Sequence, residues 1–249
     1  MGLTAAERDG LRVVLVRTRN PLNIGAAARA MTNFGFGRLR VVEPYEAAFR
    51  EARSAVDAEQ VLRSAEEFAD VTGAVADCTL VVGTAEGRQR TTEEPLQRLE
   101  AGVEEIRRHL RGGARVAVLF GSEKRGLSNQ ELGPCQRVLR IPTEAEQPSM
   151  NLGQAVAVVL YEVIRESAAG SGGELQRAPA TAGDRERLAA LLAEMLERSE
   201  AARRGERALG EEKVRRLVRH MGLTAPDAHE WMGMVRQVLW KLRGGSDSE

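Results

Sequence analysis

The chain has 249 residues, room for one large domain or for one medium domain with an appendage. Its 36 Lys plus Arg balance 36 Asp plus Glu, so net charge names no acidic partner and only a local basic patch could do so. No run reaches the ~18 apolar residues of a membrane helix, and the charged start Met-Gly-Leu-Thr-Ala-Ala-Glu-Arg lacks the apolar segment of a signal peptide. Cys78 and Cys135 are far apart and have no CxxC or histidine companions. They read as core thiols, with no disulfide and no metal site expected, which suits a reducing cytoplasm.

Residues 13–16 form a compact apolar run, a buried strand. Asn20-Pro21 then starts a helix, with Asn as cap and Pro at the first helical position. Ile24, Ala27, Ala28, Met31 and Phe34 give that helix an apolar face, and Gly35-Phe36-Gly37 stops it. A second strand spans 39–42. Residues 46–69 have helical composition. A third strand, 80–83, leads into a loop over 84–90. Residues 93–111 read as a helix closed by Gly112-Gly113. A fourth strand spans 116–120 and a fifth 138–141. Leu152, Ala155, Val156, Val159, Leu160 and Val163 then recur at helical spacing over about 151–166. Strands that are continuous apolar runs and alternate with helices predict a parallel sheet covered on both faces.

Residues 168–183 change to Ala, Gly, Ser, Pro and Thr, a linker. Three helical stripes follow within 184–243. The first is Leu188, Leu191, Leu192, Met195 and Leu196. The second is Val214, Leu217, Val218 and Met221. The third is Trp231, Met234, Val235, Val238, Leu239 and Leu242, started by Thr224-Ala225-Pro226. Residues 244–249 read as a disordered tail. The expected division is thus 1–167 as the α/β domain, 168–183 as linker, 184–243 as a small all-helical extension, and 244–249 as tail.

Three loops carry candidate chemistry. Around residues 19–30, the helix start exposes backbone N–H groups that suit an anion such as phosphate. Arg29 lies off the apolar stripe, with Thr32 and Asn33, and a guanidinium there could grip a phosphate. The same residues also suit a capped surface helix. The second loop, Gly121-Ser122-Glu123-Lys124-Arg125-Gly126, matches neither a P-loop nor a dinucleotide fingerprint. Gly121 at a strand end permits close backbone approach. In the third, residues 141–151, Ser149 and Asn151 stand at a helix mouth, where either can cap, and backbone groups of Ile141 and Met150 could hold a flat heterocycle.

The segments Arg-Asn-Pro-Leu-Asn-Ile-Gly-Ala-Ala-Ala-Arg-Ala-Met-Thr-Asn-Phe-Gly-Phe (19–36), Leu-Val-Val-Gly-Thr-Ala-Glu-Gly-Arg (80–88), Val-Leu-Phe-Gly-Ser-Glu-Lys-Arg-Gly-Leu-Ser-Asn-Gln-Glu-Leu (118–132) and 141–162 stand in a familiar order. Together they resemble the SPOUT-class, TrmH-like RNA ribose 2'-O-methyltransferases, most closely the TrmJ branch, over about residues 11–166. The resemblance implies an α/β parallel sheet whose C-terminal segment forms a trefoil knot (SPOUT), and a homodimer. It implies S-adenosyl-L-methionine as cofactor, contacted by Thr84, Ala85, Glu86, Gly121, Glu123, Ile141, Ser149, Met150 and Asn151. Arg29 matches the catalytic arginine, with Asn20 and Asn23 shaping its loop and Ser149 and Asn151 orienting cofactor or ribose. A guanidinium, with a pKa above ~12, is a poor base, so a substrate phosphate or solvent would assist in taking the proton. Ser122 departs from the arginine common in relatives.

The implied activity is transfer of a methyl group to a tRNA ribose, at cytidine or uridine of anticodon-loop nucleotide 32. Ribosomal RNA as substrate, or a non-catalytic RNA-binding relative, are the alternatives. Arg203, Arg204 and Arg207, then Lys213, Arg215, Arg216 and Arg219, form two basic clusters in the helical extension. They suit RNA phosphates, or a solvated face interleaved with Glu206, Glu211 and Glu212. Neither metal nor membrane is expected.

Overall fold

The computed structural model describes residues 2–54, 60–86, 96–144, 146, 148–165, 178–199 and 210–243. Residues 87–90, the larger part of the expected linker, Arg203, Arg204 and Arg207, and the tail lie outside the described residues. The described residues fall into two compact units, one up to residue 165 and one from residue 178.

The first unit is built on seven strands: β1 Leu11–Val16, β2 Arg38–Val42, β3 Glu66–Phe68, β4 Leu80–Thr84, β5 Leu96–Arg98, β6 Val116–Phe120 and β7 Arg137–Arg140. Their order is β3-β2-β1-β6-β4-β7-β5, and every pairing is parallel. All of β1 and β6 is buried, as continuous apolar runs require when both faces are covered. The helices are α1 Ala5–Asp9, α2 Pro21–Phe34, α3 Glu46–Ser54, α4 Gln60–Arg63, α5 Val71–Val75, α6 Leu99–Arg111, α7 Asn129–Leu132 and α8 Leu152–Ile164. Asn20 caps α2, its side chain accepting from Leu22 N, and Gly35 ends it in the left-handed region at φ 75°. Leu152, Val156, Val159, Leu160 and Val163 of α8 are buried in the same core as Ile24, Ala27, Ala28 and Met31 of α2. Buried Arg107 of α6 caps the far end of α8, donating to the carbonyls of Glu162, Val163 and Arg165.

Two expected helical stretches are corrected. Residues 46–69 contain α3, α4 and the strand β3, and in the stretch 93–111, of which 93–95 lie outside the described residues, 96–98 form the strand β5. Both strands are short, largely exposed sheet edges without an apolar run, so no periodicity reveals them. The terminal α1 was also unforeseen; its Thr4–Glu7 capping box is its signature.

In the second unit, α9 spans Ala182–Arg198, α10 Glu211–His220 and α11 Ala225–Leu242. Thr181 caps α9, so the helix begins inside the stretch expected as linker, and Pro179 bridges to Thr224 just before α11. Leu188 and Ala189, Val214 and Val218, and Ala228, Met232, Val235 and Leu239 make the core. The third sequence stripe is thereby corrected. Only Val235 and Leu239 of it are buried, while Trp231, Met234, Val238 and Leu242 are exposed. Leu217 and Met221 of the second stripe are exposed as well. Arg215 pairs with Glu186 and Glu211 at 2.8 and 2.6 Å, which favours the solvated-face reading for that part of the second basic cluster. No helix of the described residues is long and apolar enough to cross a membrane.

Cys78 and Cys135 are free and buried. Burial, helped by neighbouring Asp77, pushes the Cys78 thiol up to about 12, so it is an inert packing group. Asp77 itself anchors buried Arg40 through a two-pronged bond at 2.5 and 3.0 Å. Arg40 also donates to Ala74 O and to Glu66, and its guanidinium lies 5.4 Å from the Phe68 ring centre. Burial pushes the Asp77 carboxyl up, but the Arg40 bond and charge outweigh it and hold it well below the aspartate range. Asp77→Ala leaves a buried guanidinium short of its main partner and should cost about 3 kcal/mol, measured by urea unfolding at pH 7. The contribution is present above the unfolded-state value and fades with acid. The gap between wild type and variant should therefore narrow as pH falls below about 5.

Candidate functional site

Because β1, β6, β4 and β7 are neighbours and parallel, the loops that follow them leave one edge of the sheet side by side. A cavity of about 210 Å³ opens there. Its walls come from three chain segments: Thr84, Ala85 and Glu86 after β4; Phe120, Gly121, Ser122, Glu123 and Gly126 after β6; and Leu139 to Ala155 around the loop between β7 and α8. Thr84 Oγ1 donates to Leu119 O at 2.9 Å and Ala85 N donates to Leu139 O at 2.9 Å, which fixes the first segment against both neighbours.

The second segment is a tight turn, in which Gly126 N donates to Ser122 O at 2.8 Å. Gly121 is required at its root. A Cβ there would lie 2.0 Å from Gly126 C and 2.2 Å from Leu127 N, backbone atoms that cannot swing aside. The third segment ends at Asn151, whose side chain accepts from Gly153 N at 3.0 Å and Gln154 N at 3.4 Å. Asn151 is therefore the cap of α8, and Ser149 is left to line the cavity.

Glu123 joins this cavity to the loop after β1. Its carboxylate accepts from Arg19 N at 3.4 Å, Asn20 N at 3.2 Å and Asn23 Nδ2 at 3.1 Å. Burial raises its pKa, but the Asn23 bond and the backbone donors of Glu123, Asn20 and Arg19 win, and the carboxyl sits below its ordinary value. Asn23 Oδ1 in turn accepts from Asn151 Nδ2 at 2.8 Å. Arg17 adds a second tie, pairing at 2.9 Å with Glu131 of α7.

This corrects one expectation. The start of α2 is not an open anion site. Leu22 N goes to Asn20 Oδ1, Asn23 N to Asn20 O, Pro21 has no N–H, and Asn20 N serves Glu123. The anion at this helix mouth is the protein's own carboxylate.

Of the expected site residues, Thr84, Ala85, Glu86, Gly121, Glu123, Ile141, Ser149 and Met150 line the cavity. Asn20, Asn23 and Asn151 stand behind it as a hydrogen-bonded frame. Arg29 does not line it; it lies on the exposed side of α2, with Thr32 and Asn33 exposed beside it. Sequence reasoning missed Phe120, Ser122, Gly126, Leu139, Thr143, Pro148, Leu152 and Ala155 as wall residues. Leu152 and Ala155 belong to a stripe that reads as core, so nothing marks them as lining.

Fold and site define an α/β protein with a preformed pocket at the carboxyl edge of a parallel sheet. A family model described as "SpoU rRNA Methylase family" matches residues 10–161. The chain belongs to the SpoU rRNA methylase family, which bears out the SPOUT-class resemblance. It is 39% identical over 156 residues to a Pseudomonas aeruginosa protein named tRNA (cytidine/uridine/adenosine-2'-O-)-methyltransferase TrmJ, a match covering 62% of this chain and 60% of that one. The chain thus spans less than two thirds of that relative's length. A Yersinia enterocolitica tRNA (cytidine/uridine-2'-O-)-methyltransferase TrmJ is 33% identical over 251 residues, 96% of each chain. The crystal structure of TrmJ from Z. mobilis ZM4 is similar with a TM-score of 0.75 and 28% identity, covering 92% of this chain and 98% of that one.

Asn23 and Asn151 are bonded to each other across the site, so their replacements should be non-additive. Asn23→Ala, Asn151→Ala and the pair, compared by chemical unfolding, should give a coupling of at least about 0.5 kcal/mol. Gly121→Ala should lower the melting temperature while Gly25→Ala, where a Cβ meets nothing within 4 Å, should not.

Proposed function

We propose that the chain is an S-adenosyl-L-methionine-dependent RNA ribose 2'-O-methyltransferase, acting in the cytoplasm on tRNA at cytidine or uridine 32 of the anticodon loop. The observation that carries this reading is the cavity at the sheet edge, walled by the three segments that hold the family-like motifs. The names of the relatives support tRNA as the substrate. Ribosomal RNA is the second reading, favoured by the description of the matched family.

The pocket suits the cofactor chemically. Leu139, Ile141, Met150 and Leu152 offer apolar walls for a heterocycle, and Thr84, Ser122 and Ser149 offer hydroxyls. The cradle at Gly121 is one that a Cβ would fill with clashes. When bound, S-adenosyl-L-methionine supplies an electrophilic methyl group on a sulfonium sulfur. Arg29 binds the phosphate beside the target ribose and so aims the 2'-hydroxyl. The proton of that hydroxyl passes to the phosphate or to solvent, because the Arg29 guanidinium is a poor base, and Glu123 is engaged by three donors. Asn20 and Asn23 hold the loop that carries Arg29, and Asn151 ties that loop to the cofactor side.

The segment from Gly121 into α8 forms the trefoil knot in this reading, supported by its two loops lying over one cavity. The enzyme is a homodimer, joined through the outer faces of α2 and α8. Leu22, Val158 and Tyr161 support this, being 80%, 36% and 52% exposed. Residues 1–167 form the catalytic domain and 184–243 an accessory RNA-binding extension. The reaction needs no metal.

Titration calorimetry with S-adenosyl-L-methionine should give a saturable isotherm, and no heat of binding would sink the proposal. Methyl transfer to total RNA, followed by mapping, should label tRNA at nucleotide 32; label confined to ribosomal RNA would move the substrate. Arg29→Ala should abolish turnover and leave cofactor affinity near wild type. Loss of cofactor binding in that variant would show that Arg29 belongs to the cofactor pocket.

A further inference from the structure

Arginines on the described strands are answered within the fold, with one exception. Arg12 donates to Asp9 O, Arg38 pairs with Asp9 at 2.7 Å, Arg40 with Asp77 at 2.5 Å and Arg137 with Glu105 at 2.8 Å. Arg140, the last residue of β7, is half-buried, and its enclosed Nε meets no acceptor. Among the described residues no ion pair includes it. Its neighbour across the sheet is another arginine. Arg98, the last residue of β5, stands opposite Arg140 in register. Neighbouring strands lie about 4.8 Å apart, and like charges facing each other on a sheet repel. Arg98 pairs with Glu100 at 3.4 Å, but the two are 70% and 50% exposed, so its charge is weakly answered. Although Arg98 precedes α6, its side chain makes no cap bond there.

Leu139 points at α6, since a Cβ at Gly102 would lie 2.1 Å from its side chain, and with Ile141 it lines the cavity. Alternation along the strand turns Arg140, which stands between them, to the other face of the sheet, and the register takes Arg98 with it. Both guanidinium groups therefore lie outside the cavity, at the same carboxyl edge of the sheet. The carboxylates of that edge have other places. Glu123 is engaged by the loop after β1, and Glu86 lines the cavity. An enclosed N–H without an acceptor destabilises a fold, and two opposed cations add to that. One kind of guest relieves both: an anion with several oxygens, which takes charge-assisted bonds from two guanidinium forks at once. A phosphate has this chemistry, and an RNA that presents its ribose at the cavity carries phosphates along this edge. On the RNA reading above, we propose that Arg98 and Arg140 form a site for a backbone phosphate of the RNA substrate, separate from the contact made by Arg29.

The full-length chain tests it with unfractionated tRNA as probe, by fluorescence anisotropy over a salt series. Arg140→Gln should weaken binding about fivefold at physiological salt and reduce the slope of log affinity against log salt by about one. Arg98→Gln, on an exposed side chain, should do the same and serves as the test if Arg140→Gln does not fold. Arg140→Lys, which keeps the charge without the fork, should recover the slope but not the full affinity. Affinity for S-adenosyl-L-methionine should stay at the wild-type value in both Gln variants. Orthophosphate probes the bare site: in place of chloride at equal ionic strength, it should raise the melting temperature of wild type more than that of either Gln variant. Wild-type tRNA affinity and salt slope in both Gln variants overturn the proposal and leave the RNA reading standing; a phosphate shift seen only in wild type would then mark a small-anion site. Failure of the wild type itself to bind tRNA overturns both. Loss of S-adenosyl-L-methionine binding in Arg140→Gln, with circular dichroism that matches wild type, overturns it in favour of a cofactor contact.

Discussion

One carboxylate holds the working edge of this molecule together. Glu123 sits in the turn after β6 and receives two backbone N–H groups and one amide from the loop and helix that follow β1. The bond is possible because β1 and β6 are adjacent and parallel, with Leu15 opposite Phe120, so their following loops leave together. The positive end of the α2 dipole favours a negative charge there, and the donors outweigh partial burial and lower the carboxyl's pKa. The orientation of α2 is thus set by a residue far away in sequence. Arg29, further along the same helix, inherits that orientation.

The second half of the frame depends on close approach rather than charge. Asn23 passes the connection to Asn151, which caps α8. For that, α2 and α8 must cross tightly near their N-termini. Gly153 allows it, since a Cβ there would be 2.6 Å from the Ala26 side chain and 3.3 Å from its backbone. Gly121 does the same for the cavity's own turn. Small residues and a half-buried carboxylate therefore do different jobs at one edge: the first set distance, the second sets direction.

Much of this was open to reading from the residues because the strong signals are local. A continuous apolar run makes β1 and β6, and Asn20-Pro21 with Gly35 brackets α2 almost to the residue. The candidate pocket residues follow strand ends, where a parallel sheet puts its loops, and eight of them line one cavity. What stayed hidden is long-range. Nothing near Glu123 in sequence announces that it will occupy the start of α2, and the free N–H groups seen there by sequence suggested an external phosphate instead. The edge strands β3 and β5 were hidden for another reason. They are too short and too exposed to show a period, and they exist only because β2 and β7 offer a free edge to pair with.

The helical unit shows the limit of periodicity from the other side. The apolar residues of α11 cover a wide arc, wider than a single core face. Sequence reading takes the centre of such an arc as buried, here around Trp231, Met234 and Val238. The packing instead takes one flank, Ala228, Met232, Val235 and Leu239, which is buried in one core with Leu188 and Ala189 of α9. A helix with more apolar arc than its own core uses has surface left over, and the leftover is sorted by neighbours. Beside Met234 and Leu242 it is plain hydrocarbon; beside Arg236 and Gln237 it is the Trp240 ring. Position on the helix, rather than hydrophobicity, therefore decides what surrounds each of the two tryptophans.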